Sequence, residues 1–162
     1  MANSPEQKKL FCFGFGFAAK ALAETLLLKN WTVSGTCRAT DQKACLTNLP
    51  LFSFDGTHAS KEIFESLSQA THLLISIPPQ TSGDVVLKNF SSNIAKNKNL
   101  QWIGYISSTG VYGDTRGEWV DESSPLKPET ELNVRRVESE IAWLKMAKQN
   151  GCPVMVFRCV GI

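Results

Sequence analysis

The chain has 162 residues, 43% of them hydrophobic and 20% charged, with 17 basic and 15 acidic side chains for a net charge of +2. This is the composition of one globular domain with a sizeable core. No basic stripe points to nucleic acid, and no apolar run approaches the roughly 18 residues that would suggest a membrane span. The first residues, 1–8, are polar and are expected to form a flexible N-terminus, with the domain filling 9–162. Lys9 to Phe13 reads as a short buried strand ending at Gly14, and Phe17 to Lys29 as a helix packed on a sheet. Trp31 to Thr36 is a second strand, Asp41 to Asn48 an ambiguous stretch of one or two helical turns, and Leu51 to Phe54 a brief third strand closed by Asp55-Gly56. Lys61 to Leu67 reads as helical, and His72 to Ile77 as an apolar strand stopped by Pro78-Pro79. Asp84 to Ala95 follows as a helix and Trp102 to Ser107 as a strand. A long polar loop is expected from Ser108 to about Lys127, with Pro128 opening the next helix. Val134, Val137, Ile141 and Leu144 form that helix's one apolar stripe, expected to face the core. Pro153 to Arg158 is the last strand.

Strands alternating with helices imply a parallel sheet with right-handed crossovers. About six strands with helices on both faces make an α/β, doubly wound dinucleotide-binding fold of the NAD(P)-binding Rossmann type. The five cysteines (Cys12, Cys37, Cys45, Cys152, Cys159) are an odd, scattered set without a C-x-x-C pair. That excludes a disulfide framework and a zinc site, and fits a reducing, cytoplasmic setting. Lys8 and Lys9 ahead of an apolar run also sketch a secretory signal peptide. Lys20 inside the run and Glu24 beyond it disfavour that reading. His58 and His72 are expected to be structural.

Gly14-Phe15-Gly16-Phe17-Ala18-Ala19 is G-x-G-x-x-A at the first strand-to-helix junction. There the first glycine makes a tight turn and the second lets backbone approach a pyrophosphate. The small Ala19 lets helix and strand pack closely, and the helix N-terminus offers free N–H groups. Where NAD-binding proteins place a carboxylate, after the second strand, the chain has Gly35-Thr36-Cys37-Arg38. Arg38 suits a 2′-phosphate and Thr36 is a second donor, which favours NADP over NAD. Asp55 is a candidate acceptor for the adenine amino group, or simply the turn residue before Gly56.

Tyr105-Ile106-Ser107-Ser108-Thr109-Gly110-Val111-Tyr112-Gly113-Asp114 resembles the fifth-strand motif of the extended short-chain dehydrogenase/reductases, the NAD-dependent epimerase/dehydratases. Asp121-Glu122-Ser123-Ser124-Pro125-Leu126-Lys127-Pro128 is similar to the segment before their active-site helix, and Val156 to Ile162 to their sixth strand. The resemblance implies that Ser108 polarises the substrate oxygen, with Thr109 beside it sharing the role. It places Ser76, Ile77, Pro78 and Pro79 in the crevice near the nicotinamide ribose, and Ser107, with Phe15 and Phe17 of the glycine turn, among the cofactor-binding residues. The substrate it implies is a nucleotide sugar or carbonyl compound, and the assembly a homodimer.

The chain departs from the family's pattern in two ways. The usual tyrosine four residues before a lysine is replaced by Leu132, with Arg136 near the lysine's place, so the proton donor is missing. Arg136 remains a candidate for cofactor hydroxyls. The chain also ends at the sixth strand, without the family's C-terminal substrate domain, as a fragment or a shortened relative would. This is the pattern of the atypical branch. The functional expectation is an NADP(H)-binding oxidoreductase or epimerase/dehydratase-like protein. Its rivals are a non-catalytic NADP(H) sensor, a nucleotide-free structural domain and, more distantly, an S-adenosylmethionine-binding methyl transferase.

Overall fold

The computed structural model describes residues 7–38 and 48–160, so the expectations for 1–6, for most of 41–48 and for Gly161-Ile162 fall outside the described residues. The chain runs β1 (Lys9–Phe13), α1 (Phe17–Leu27), β2 (Thr32–Cys37), β3 (Leu51–Ser53), α2 (Lys61–Gln69) and β4 (His72–Ile75). It continues through α3 (Val85–Lys96), β5 (Trp102–Ser108), a 3-10 turn (Thr109–Tyr112), α4 (Glu131–Asn150) and β6 (Val154–Cys159). The strands form one six-stranded sheet in the order β3-β2-β1-β4-β5-β6, and every pairing is parallel. This is the doubly wound sheet expected from the alternation of elements.

Connections from β1 run one way across the sheet to β3, then reverse and run through β4 to β6. The reversal falls between β1 and β4. Right-handed crossovers therefore send helices to opposite faces on the two sides of that point. Successive strand residues serve opposite faces. Phe11 and Phe13 join Leu73, Ile75, Ile103 and Tyr105 under α2, α3 and α4, where Ile63, Phe90 and Trp143 complete the larger core. Leu10 and Cys12 join Val33 and Leu74 under α1, through Ala19 and Ala23. The stretch that sketched a signal peptide is thus the central strand and first helix of the fold.

Four expectations need correction. The Leu28–Asn30 turn ends α1 early, with Asn30 in the left-handed region at φ 58°. β4 stops at Ile75, because Ser76 makes its last ladder bond (N–H to the Phe13 carbonyl, 2.9 Å) and Pro78-Pro79 offer no N–H. The loop after β5 is not irregular throughout, since Thr109–Tyr112 form a 3-10 turn capped by Ser108. Helix α4 opens at Glu131 rather than at Pro128, because Thr130 caps it by accepting the Asn133 N–H.

The largest reversal concerns the face that α4 buries. Val134, Ile141 and Leu144 are 40%, 61% and 42% exposed, while Ser139, Glu140, Trp143 and Met146 turn inward. Glu140 is buried because Arg158 on β6 meets it through Nε and Nη2, the latter at 2.8 Å. Ser107 on β5 donates to its other oxygen at 2.5 Å. Trp143 donates its indole N–H to Asp84, the cap of α3, at 2.8 Å. A pattern that counts apolar residues misses this face, since its anchors are a serine, a paired carboxylate and a hydrogen-bonded tryptophan.

Candidate functional site

At the end of β1 the chain turns through Gly14 in the left-handed region, at φ 88°. Both of its backbone groups are held by neighbouring strands. Its N–H donates to Thr36 Oγ1 on β2 at 2.9 Å, and its carbonyl accepts from Ser76 Oγ after β4 at 2.8 Å. A side chain at Gly14 would begin 2.8 Å from Ser76 Oγ and 3.2 Å from the Ile77 nitrogen. Gly14 is therefore required by the fold itself. Gly16 differs: it caps α1 with extended backbone (φ −85°), and a side chain there would meet no atom within 4 Å. The space over its α-carbon is open and lies at the N-terminus of a helix whose first turn carries no acidic residue. That geometry suits an anion, with the space left clear by the missing side chain.

The turn floors a cavity of about 430 Å³, lined by Gly14, Phe15, Gly16, Thr36, Arg38, Asp55, Ser76, Ile77 and Pro78 among the expected site residues. Pro79, expected there with Ser76 to Pro78, lines it as well, and Cys37, Phe54, Gly56 and Gln80, which sequence reasoning did not select, complete it. Proximity to Asp55 and Pro79 was the only signal that could have flagged Gly56 and Gln80. A smaller hollow of about 240 Å³ lies between α3 and α4, lined by Ile103 near the start of β5. Ligands of open α/β sheets bind at the carboxyl ends, which selects the larger cavity.

Several expected cofactor residues act on the turn instead of facing a ligand. Thr36 is buried and its Oγ1 accepts the Gly14 N–H, so it supports the turn while its own hydroxyl proton is left to donate. Ser76 supports the turn from the other side. The ring of Phe15 and the methyl of Ala19 are buried in the α1 core, whereas Phe17 is 83% exposed at the first residue of α1. Ser107 is buried against Glu140 and is tied to α4, away from the crevice. Arg136 directs Nη1 to the Ile106 carbonyl at 3.4 Å, a contact that joins α4 to β5.

Arg38 is exposed at the end of β2, with no carboxylate after the strand before residue 39. Asp55 accepts the Thr57 and His58 N–H groups, each at 2.8 Å, and its second oxygen lies 3.2 Å from His58 Nδ1. The His58 and Thr57 N–H groups hold its carboxyl well below the usual carboxylate range. The carboxylate is thus engaged by its own turn, and the expected bond to an adenine amino group has a strong competitor.

Ser108 and Thr109 end β5 and open the 3-10 turn, one strand beyond β4 and outside the lining of the cavity. Ser108 Oγ accepts the Gly110 N–H at 3.2 Å, which leaves its own proton free to donate. Both tyrosines are held inside the fold. Tyr105 is buried in the core, where burial pushes its phenol up to about 12. The Tyr112 hydroxyl accepts from Arg158 Nη1 at 2.8 Å, with the guanidinium 5.0 Å above its ring. Leu132 sits half-exposed in the first turn of α4.

The fold is shared with solved structures. A conserved protein of unknown function from Silicibacter pomeroyi is 35% identical, with a TM-score of 0.82 over 96% of this chain and 53% of that one. UDP-glucuronic acid 4-epimerase from Bacillus cereus, in complex with NAD, is 18% identical with a TM-score of 0.74. That match covers 94% of this chain and 55% of the epimerase.

This is an NAD(P)-binding Rossmann fold.

A short-chain dehydrogenase/reductase superfamily protein from Agrobacterium tumefaciens with bound NAD carries the same Rossmann fold at 14% identity and a TM-score of 0.71, covering 93% of this chain and 48% of that one. The Rossmann chain spans about half the length of these structures. No protein-family model and no curated protein matches it. Among the described residues, no helix is long and apolar enough to cross a membrane, and no group of His, Cys, Asp and Glu could hold a metal ion.

Proposed function

We propose that the chain is the cofactor-binding part of an NADP(H)-dependent oxidoreductase or epimerase/dehydratase-like protein of the extended short-chain type. The observation that carries this reading is the open α-carbon of Gly16 at the mouth of a cavity that also holds Arg38. The turn and the first N–H groups of α1 receive the pyrophosphate, and Arg38 pairs with the 2′-phosphate. A bound nicotinamide supplies hydride exchange with the substrate. Ser108 would donate a hydrogen bond that polarises the substrate oxygen, while the Gly110 N–H fixes the rotamer of its side chain. The Bacillus cereus relative in complex with a UDP-sugar supports a nucleotide sugar as one substrate class, with simple carbonyl compounds as the other. Titrating the chain with NADP(H) and NAD(H) tests the assignment, and a chain that binds neither overturns it.

One observation favours a second reading, a non-catalytic NADP(H) sensor. Leu132 stands where the family's acid would be, and both tyrosines are committed elsewhere. The thiols of Cys12, Cys152 and Cys159 favour a reducing compartment such as the cytoplasm for either reading.

The exposed stripe of α4 supports a homodimer. Its positions, 134, 137, 141 and 144, have a spacing that reads the same in both directions. An antiparallel second copy would set Val134 on Leu144 and Val137 on Ile141, the self-complementary match a two-fold contact needs. Glu131 near one end and Lys148 near the other would then meet across the pair.

A further inference from the structure

The residue whose placement has no role in the fold is Gln80. Its backbone is fixed by two hydrogen bonds with Gly83, N–H to carbonyl in each direction, at 3.0 and 2.9 Å. Its carboxamide projects across the cavity mouth to Gly56, where a side chain would begin 2.8 Å from Nε2. Gly56 is itself in the left-handed region at φ 100°. Its carbonyl accepts from Asn89 Nδ2 at 3.1 Å, and Asn89 is anchored to α3 through the Val85 carbonyl at 2.7 Å. The loop after β3 is thus tied to α3, with the Gln80 carboxamide of the loop after β4 lying against Gly56. Among the described residues that carboxamide has no hydrogen-bond partner.

This inference rests on the cofactor reading. With the pyrophosphate on α1 and a ribose at Arg38, the base continues into the part of the cavity framed by Phe54 to Gly56 and by Ile77 to Gln80. Phe54 and Pro79 are buried there and give that part apolar walls that suit a planar ring. A reader of the base must offer a donor and an acceptor at its edge. Asp55 offers only acceptors, and both of its oxygens are engaged by Thr57 and His58. A carboxamide carries one donor and one acceptor in the spacing that matches adenine's amino group and adjacent ring nitrogen. We propose that Gln80 reads the adenine edge, and that it makes the site selective for adenine over a 6-oxopurine.

The test measures dissociation constants of the 162-residue chain for NADP+ and for nicotinamide hypoxanthine dinucleotide phosphate, in which a carbonyl oxygen replaces the adenine amino group. A bidentate amide–adenine pair of this kind gives the parent a preference for NADP+ of about tenfold. Gln80→Ala lowers NADP+ affinity to the level of the hypoxanthine analogue and leaves the latter within about twofold. Gln80→Glu keeps the length of the side chain but removes the donor to the ring nitrogen, so it also weakens NADP+ binding. Melting curves of both variants confirm that the exposed substitution leaves the fold intact. Equal binding of the two dinucleotides by the parent, an undiminished preference in both variants, or an equal loss for both ligands overturns the inference while the cofactor assignment stands. A parent that binds neither overturns both.

Discussion

Replacing Gly16 with valine separates the two glycines of the turn by function. Its backbone is extended and its α-carbon faces open space, so the fold accepts a side chain there. An apolar cap in place of glycine costs the helix about 1 kcal/mol at most. The stiffer unfolded chain returns about 0.4–1 kcal/mol. The melting temperature should therefore move by no more than about 4 °C in a domain of this size. Binding responds differently, because the branched side chain fills the space through which phosphate reaches the N–H groups of α1. Each charge-assisted hydrogen bond contributes about 1.5–3 kcal/mol, so losing two weakens binding by at least about a hundredfold. Gly14→Ala is the contrasting substitution: the φ of 88° and the 2.8 Å approach to Ser76 Oγ strain the fold itself. Titration by NADPH fluorescence, beside a thermal melt of each variant, reads both quantities. A Gly16→Val chain that binds NADPH as tightly as the parent, or that fails to fold, would refute the assignment of an open phosphate cradle at this residue.

Three further outcomes are expected. Arg38→Ala should weaken NADP(H) binding about tenfold or more while NAD(H) affinity barely changes, because a charge-assisted pair contributes about 1.5–3 kcal/mol; equal losses for both cofactors would sink the 2′-phosphate reading. Turnover against aldehydes, ketones and nucleotide sugars, followed as NADPH absorbance, should be slow or absent, since the missing general acid accounts for roughly 10²–10⁴-fold. Brisk oxidation that Ser108→Ala abolishes would show that another group supplies the proton. Ile141→Glu, which places a charge in the exposed stripe of α4, should convert a dimer into a monomer in analytical ultracentrifugation, and a parent already monomeric at high concentration would remove the stripe as a self-contact.

The strands, the helices and their parallel winding were legible in the sequence because each depends on local periodicity and on the punctuation of Gly, Pro and Asn. The glycine turn was legible for the same reason: spacing alone places Gly14 and Gly16 at a strand-to-helix junction. What each glycine does was decided only in three dimensions. Thr36 and Ser76 converge on Gly14 from strands on either side of β1, and no spacing in the chain announces that they act on the turn rather than on a ligand. The inner face of α4 is a second case. Glu140 reads as a surface residue until β6 brings Arg158 to it and β5 brings Ser107, after which a charged position becomes core and three apolar ones, Val134, Ile141 and Leu144, turn outward. Gln80 and Gly56 likewise meet only because the fold brings the loops after β4 and β3 together, with Gly56 tied to α3 through Asn89. Local pattern determines which elements form, because backbone geometry and burial periodicity act over a few residues. The partners of a polar group are determined by which strand ends the sheet sets side by side, and that neighbourhood exists only once the sheet has assembled.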